Sequence, residues 1–229
     1  MAVARKDDIK AAYRGLGKAH GFYDGMMLGT TVLGRMVLKL VWQMKREEAL
    51  EYQAEAFAPI PGHFKGKLLE VPVGTGVLSI PVWKDLLEAD ITCLDYSEKM
   101  LDAAKERAKE MGVSHLHFLQ GDVGALPFAD ETFAAVVSLN GFHAFPDKEA
   151  AYRETFRVLK RGGIFTGCFY VKGNNLHTDK VISGIYVKKG FFTEPFETME
   201  SLQERLSGMY EQVQLSKVQS IAVFHCQKG

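Results

Sequence analysis

With 229 residues, 47% of them hydrophobic and 24% charged, the chain is long and apolar enough to bury a full core, which excludes bulk disorder. Lysine plus arginine equals aspartate plus glutamate at 28 each, so no overall basic field marks a nucleic-acid binder. The opening MAVARKDDIK has no apolar signal core, and three cysteines without close spacing make neither a metal site nor an even disulfide set, so a cytoplasmic setting and no metal are expected.

In chain order, residues 1–57 read as helical, and KREEALEYQAEAF (45–57) is rich in helix formers and stops before Pro59. Met26–Met44 has roughly the length of a membrane span, but Arg35 and Lys39 inside it argue against spanning. A helix covering a site, or one touching a membrane surface peripherally, fits better. PIPGHFKGK (59–67) is a linker. From there apolar runs and amphipathic runs alternate: strands at 67–73, 90–96, 115–122, 132–140 and 163–171, helices at 77–88, 97–112 and 148–160. A helix at 197–208 and two further strands follow, after a short helix or loop over 172–196. Alternation of this kind demands an α/β, doubly wound, mostly parallel sheet with helices on both faces. Residues 1–60 are expected to form a helical N-terminal lid, and 61–229 the catalytic domain.

The turn after the first strand reads EVPVGTGVLS (70–79). Gly74 and Gly76 permit unusual dihedrals and keep side chains away from a ligand. In an open parallel sheet ligands collect beyond the carboxyl ends of the strands. Asp95 ends the second strand and can accept both hydroxyls of a ribose. Asp122 ends the third and can accept from an adenine amino group. A nicotinamide dinucleotide is the rival ligand, but its fingerprint wants a glycine where Ser79 stands.

Four segments in the right order resemble the class I S-adenosylmethionine-dependent methyltransferases, in the branch of the ubiquinone/menaquinone-type enzymes: LLEVPVGTG (68–76), ITCLDYSEKML (91–101), LQGDVGALPFADETFAAVVSLNGFHAFPD (119–147) and YRETFRVLKRGGIFTG (152–167). The resemblance implies a seven-stranded, Rossmann-like sheet with a final antiparallel strand, and S-adenosyl-L-methionine as cofactor. It places Glu70 by the methionine amino group and the turn formed by Val71, Pro72, Gly74, Thr75 and Gly76 around the cofactor. Asp95 falls on the ribose, Tyr96 and Met100 near the adenine, and Gly121, Asp122 and Val123 along the adenine edge. Asn140 falls near the transferring methyl. Pro72 stands where relatives commonly carry glycine, so one backbone N–H is lost there and altered geometry is expected.

A sulfonium methyl is already electrophilic, so the protein must chiefly align the reactants and exclude water. A base is needed only if the acceptor has a proton to lose. His143, just after the fourth strand, is the expected base. His20, Tyr23 and His177 are expected beside the acceptor, in a pocket lined by Phe22, Met26, Met27, Tyr186, Phe191, Phe192 and Phe196. Such a lining suits a small apolar or aromatic acceptor rather than a nucleic acid. A non-catalytic nucleotide-binding module and an NAD-dependent oxidoreductase are the alternative readings.

Overall fold

The structure, a computed structural model, describes residues 24, 25 and 29–229. Seven strands form one sheet: β1 (Gly66–Glu70), β2 (Ala89–Asp95), β3 (Leu116–Gln120), β4 (Phe133–Leu139), β5 (Leu159–Tyr170), β6 (Gln212–Val218) and β7 (Ile221–Gln227). Their order across the sheet is β3-β2-β1-β4-β5-β7-β6. The first five pair in parallel, while β7 runs antiparallel to both β5 and β6. The seven-stranded, doubly wound, Rossmann-like architecture read from the sequence is therefore present, with its antiparallel member next to the edge.

Successive residues of a strand face opposite sides of a sheet, and a parallel sheet needs apolar residues on both. Leu68 and Leu69 in β1 are both fully buried and enter different cores. On the Leu68 side the sheet is covered by α2 (Arg46–Phe57), the short α3 (Ile80–Trp83) and α4 (Glu98–Glu110). On the Leu69 side it is covered by α5 (Lys148–Val158) and α7 (Met199–Met209). Preceding α2, α1 (Val32–Leu40) starts at Thr31, whose hydroxyl accepts from the Gly34 N–H at 3.0 Å. Between β5 and α7, α6 (Leu176–Val181) runs into a wider π-helical turn, Ile182–Tyr186.

Several boundaries differ from the expected ones. The helix expected over 77–88 is only one turn long. Past Trp83 the chain closes with bonds three residues apart, from Asp85 N–H to the Val82 carbonyl and from Leu86 N–H to that of Trp83, and then enters β2. The helix expected to reach Lys160 ends at Val158 because β5 begins at Leu159. A register slip between Phe133 and Ala135 of β4 absorbs the extra residues of KRGG. Helix α2, expected within the lid, belongs to the sheet's own core. Ala49, Tyr52 and Ala56 are buried, and the Thr166 hydroxyl of β5 donates to the Ala56 carbonyl at 2.7 Å. All three cysteines lie in strands, buried and free. Among the described residues no helix is long and apolar enough to cross a membrane.

Candidate functional site

The chain leaves β1 toward β2 and β3 on one side, then returns to β4 and β5 on the other, so the order reverses between β1 and β4. A cleft opens at that reversal, as parallel sheets favour. Its empty space, open mouth included, is about 1060 Å³.

The floor is β1 and the turn after it. Glu70 is 1% exposed yet lines the cleft. Its Oε2 accepts from the Trp83 indole N–H at 2.7 Å, with the Cys93 thiol 3.7 Å away. Burial raises its pKa to about 7, the hydrogen bonds from its neighbours opposing. The turn itself is sewn to both adjacent strands. Val71 N–H reaches the Val137 carbonyl and Val73 N–H the Leu94 carbonyl, each at 2.9 Å. Gly74 and Gly76 both take positive φ, +57° and +67°, where a side chain is strained. A Cβ on Gly76 would lie 2.3 Å from Cδ1 of Ile80, whereas one on Gly74 would meet nothing within 4 Å. Gly76 thus serves packing as well as the turn, and Gly74 leaves space beside the cleft.

Asp95, at the end of β2, locks that turn. Its Oδ2 accepts from Gly74 N–H and its Oδ1 from Ser97 N–H, both at 2.8 Å. Burial lifts its pKa to about 6, against the pull of those N–H donors. Asp122 opens the turn Val123–Ala125 and accepts from Gly124 N–H at 2.9 Å. Tyr96, Met100, Gly121 and Val123 complete a mostly apolar slot beside the two acids.

Opposite, at the end of β4, Asn140 adopts a left-handed φ of +54°. Its side-chain Nδ2 is buried and has no partner among the described residues. A buried amide without a partner is costly unless a ligand supplies an acceptor. Next to it, Gly141 makes room for Pro72: a Cβ there would sit 2.5 Å from the proline Cδ. Pro72 is thus matched by the missing side chain of its neighbour Gly141.

Thirteen residues singled out for the cofactor therefore line one cleft: Glu70, Val71, Pro72, Gly74, Thr75, Gly76, Asp95, Tyr96, Met100, Gly121, Asp122, Val123 and Asn140. The expected base does not join them. His143 is buried outside the cleft wall, its ring stacked on Phe192 at 3.9 Å and 9°. Its Nδ1 accepts from the Tyr170 N–H at 3.2 Å. Burial, with a smaller contribution from the Lys148 charge, lowers its pKa to about 3. A ring so held is a packing element, and the assignment as base is corrected on that ground. His177 is also elsewhere: its Nε2 donates to the Leu40 carbonyl at 2.7 Å, tying α6 to the end of α1. Tyr186, Phe192 and Phe196 pack on one another and on Tyr170 and Trp42 instead of lining the cleft. His20, Tyr23, Phe22, Met26 and Met27 lie outside the described residues.

Other contributors were not singled out. Asp24 accepts from the Thr75 hydroxyl at 2.7 Å and pairs with Arg107, whose Nε donates to the Thr75 carbonyl at 3.1 Å. Arg107 sits in a charged helical run, so nothing local marks it. Ala144, Phe145 and Pro146 form an apolar wall beside Asn140, and their cue was only their place after β4.

Residues 68–163 match the family profile described as a methyltransferase domain. A demethylmenaquinone methyltransferase of Staphylococcus haemolyticus is 30% identical over 168 residues, covering 66% of this chain and 69% of the relative. The chain belongs to the class I S-adenosylmethionine-dependent methyltransferases, in their quinone-type branch. A phosphatidylethanolamine N-methyltransferase of Cereibacter sphaeroides is 39% identical over a shorter stretch, 99 residues, covering 43% of this methyltransferase and 47% of the relative. The YcgJ protein of Bacillus subtilis shares the fold, with a TM-score of 0.61 at 20% identity over 74% of this chain and 71% of that one. These likenesses favour methyl transfer over the oxidoreductase and the non-catalytic module.

S-adenosylmethionine, the methyltransferase's cofactor, supplies an electrophilic methyl on a positively charged sulfur. The residues present suit it. Two buried carboxylates can accept from its amino and hydroxyl groups, the slot at Met100 and Val123 suits a flat ring, and the open side of Gly74 leaves room for its chain. Pre-arranged groups of this kind cost no reorganisation when the methyl moves.

Proposed function

We propose that the acceptor is a small, lipophilic aromatic molecule of the hydroquinone type, methylated at a ring carbon. One observation carries the reading: beyond Asn140 the cleft wall is apolar, formed by Pro72, Leu139, Ala144, Phe145 and Pro146. A flat apolar ring gains from burial against such a wall, at about 25 cal/mol per Å². In this reading the acceptor brings its own nucleophilicity. An electron-rich hydroquinone does so. Its ring carbon forms the new bond to the methyl carbon, the sulfur keeps the electron pair of the bond that breaks, and the ring then loses a proton to solvent. In the same reading Glu70 holds the cofactor's amino group, Asp95 its ribose and Asp122 its adenine edge, and the protein works on the cytoplasmic side without a nucleic-acid partner.

The test is release of S-adenosylhomocysteine with a panel of acceptors: demethylmenaquinol, its oxidised quinone, and phosphatidylethanolamine. Turnover with the reduced quinol and little with the oxidised form is expected. Turnover of phosphatidylethanolamine with none of the quinol transfers the assignment to amine methylation.

A further inference from the structure

The cleft does not use the outer side of α1. Among its residues Gly34 and Leu38 are buried and Val37 is half-buried. Val32, Leu33, Met36 and Leu40 follow one another along its opposite side and are exposed, Val32 at 68% and Leu40 at 58%. Leu176, 78% exposed, belongs to the same region. His177 next to it donates to the Leu40 carbonyl, and the Thr178 hydroxyl donates to the Val41 carbonyl at 2.8 Å. With Ile185 these make six of the nine large hydrophobic residues exposed among the described residues. Isolated exposed hydrophobics are ordinary, but a contiguous set is not.

The charge around them is one-sided. Arg35 and Lys39 stand on the shoulder of the apolar stripe, and no acid occurs between Gly25 and Arg46. Lys172, Lys180, Lys188 and Lys189 are exposed in the second segment. Between Lys172 and Lys189 the one acid, Asp179, is buried and accepts from the Tyr170 hydroxyl at 2.8 Å and from Gly173 N–H at 3.0 Å. Asp24, a few residues before α1, accepts from Thr75 of the cofactor turn.

We infer that α1 and the neighbouring Leu176 form a docking surface for an anionic lipid bilayer, the leucines, valine and methionine entering the interface and the basic residues meeting lipid headgroups. Charge complementarity selects this occupant over a neutral protein face. The inference stands apart from the acceptor's identity: the surface brings the cleft to the bilayer whichever apolar molecule is methylated.

Co-sedimentation of the full chain with vesicles tests it. Vesicles of phosphatidylcholine mixed with phosphatidylglycerol should pellet the protein, and vesicles of phosphatidylcholine alone should not, with binding weakening as salt rises. R35E/K39E and M36E/L40E should each lower the bound fraction about tenfold or more, while S-adenosylhomocysteine binding by calorimetry stays unchanged and certifies the fold. No pelleting with either vesicle, equal pelleting with both, or binding indifferent to both variants overturns the proposal. So does a dimer in sedimentation velocity that M36E/L40E dissociates, since that gives the face to a second copy. A chain that binds S-adenosylhomocysteine but not vesicles fails here alone. One that turns over no quinol but pellets normally fails only the acceptor assignment.

Discussion

The two sides of the strand-end region are built on opposite plans. At β1–β3, carboxylates and backbone N–H groups do the organising: Asp95 holds Gly74 and Ser97, Glu70 holds Trp83, and Asp24 with Arg107 braces Thr75. At β4–β5 and over 172–196, rings hold rings: Trp42, Tyr170, Phe192, Tyr186 and Phe196 pack together, and His143 is one more plate in the stack. The lesson is that a polar side chain near an active site is informative only when its polar atoms face the space where chemistry occurs. Asp95 lines that space; His143, with Nδ1 satisfied by the Tyr170 N–H, does not.

Substitutions can break or sharpen this contrast. The largest effect is expected at the foot of the polar side. Trp83→Ala removes a fully buried ring and the indole N–H that Glu70 accepts at 2.7 Å, so urea unfolding should show a loss of about 3–5 kcal/mol. The two turn glycines should separate next. Gly76→Ala must push Ile80 aside and should cost about 1–3 kcal/mol of stability. Gly74→Ala meets no atom, so its stability loss should be near 1 kcal/mol, while calorimetry shows S-adenosylhomocysteine binding weakened by more than tenfold. Equal behaviour of the two variants would dissolve the distinction between a packing glycine and a ligand-facing one.

Acidity gives the next, smaller effect. Asp95 is held near a pKa of about 6. Below that pH it takes up a proton and loses acceptor strength for hydroxyl donors, so S-adenosylhomocysteine affinity should fall towards tenfold per pH unit. Asp95→Asn should flatten that profile. For stability the sign is reversed. Burial favours the protonated form, so the folded chain holds the proton longer than the unfolded chain, and Asp95's contribution decreases as pH rises from its ordinary 3.8 to about 6. The smallest effect on turnover is expected at His143. His143→Phe keeps the stack on Phe192, so kcat should stay within a few-fold and the pH–rate profile should keep its shape. Loss of turnover together with loss of the acidic limb would restore the histidine as a base and erase the contrast drawn above.

Much of this was legible because it is local. Strand-ending acids at Asp95 and Asp122, glycines at 74 and 76, and the alternation of apolar and amphipathic runs all lie within short windows, and backbone sterics force similar turns wherever they recur. The sequence by itself therefore determined the strand order's logic, the cofactor class and the residues around its cleft. Tertiary structure alone decided the rest. The pairing of Asp24 with Arg107 spans 83 residues, Pro72 needs Gly141 from another strand, and His143 loses its freedom only because Phe192 and the Tyr170 N–H reach it from distant segments. The physical reason is that hydrogen-bond satisfaction and burial depend on which side chains arrive from elsewhere, and no window of sequence contains that information.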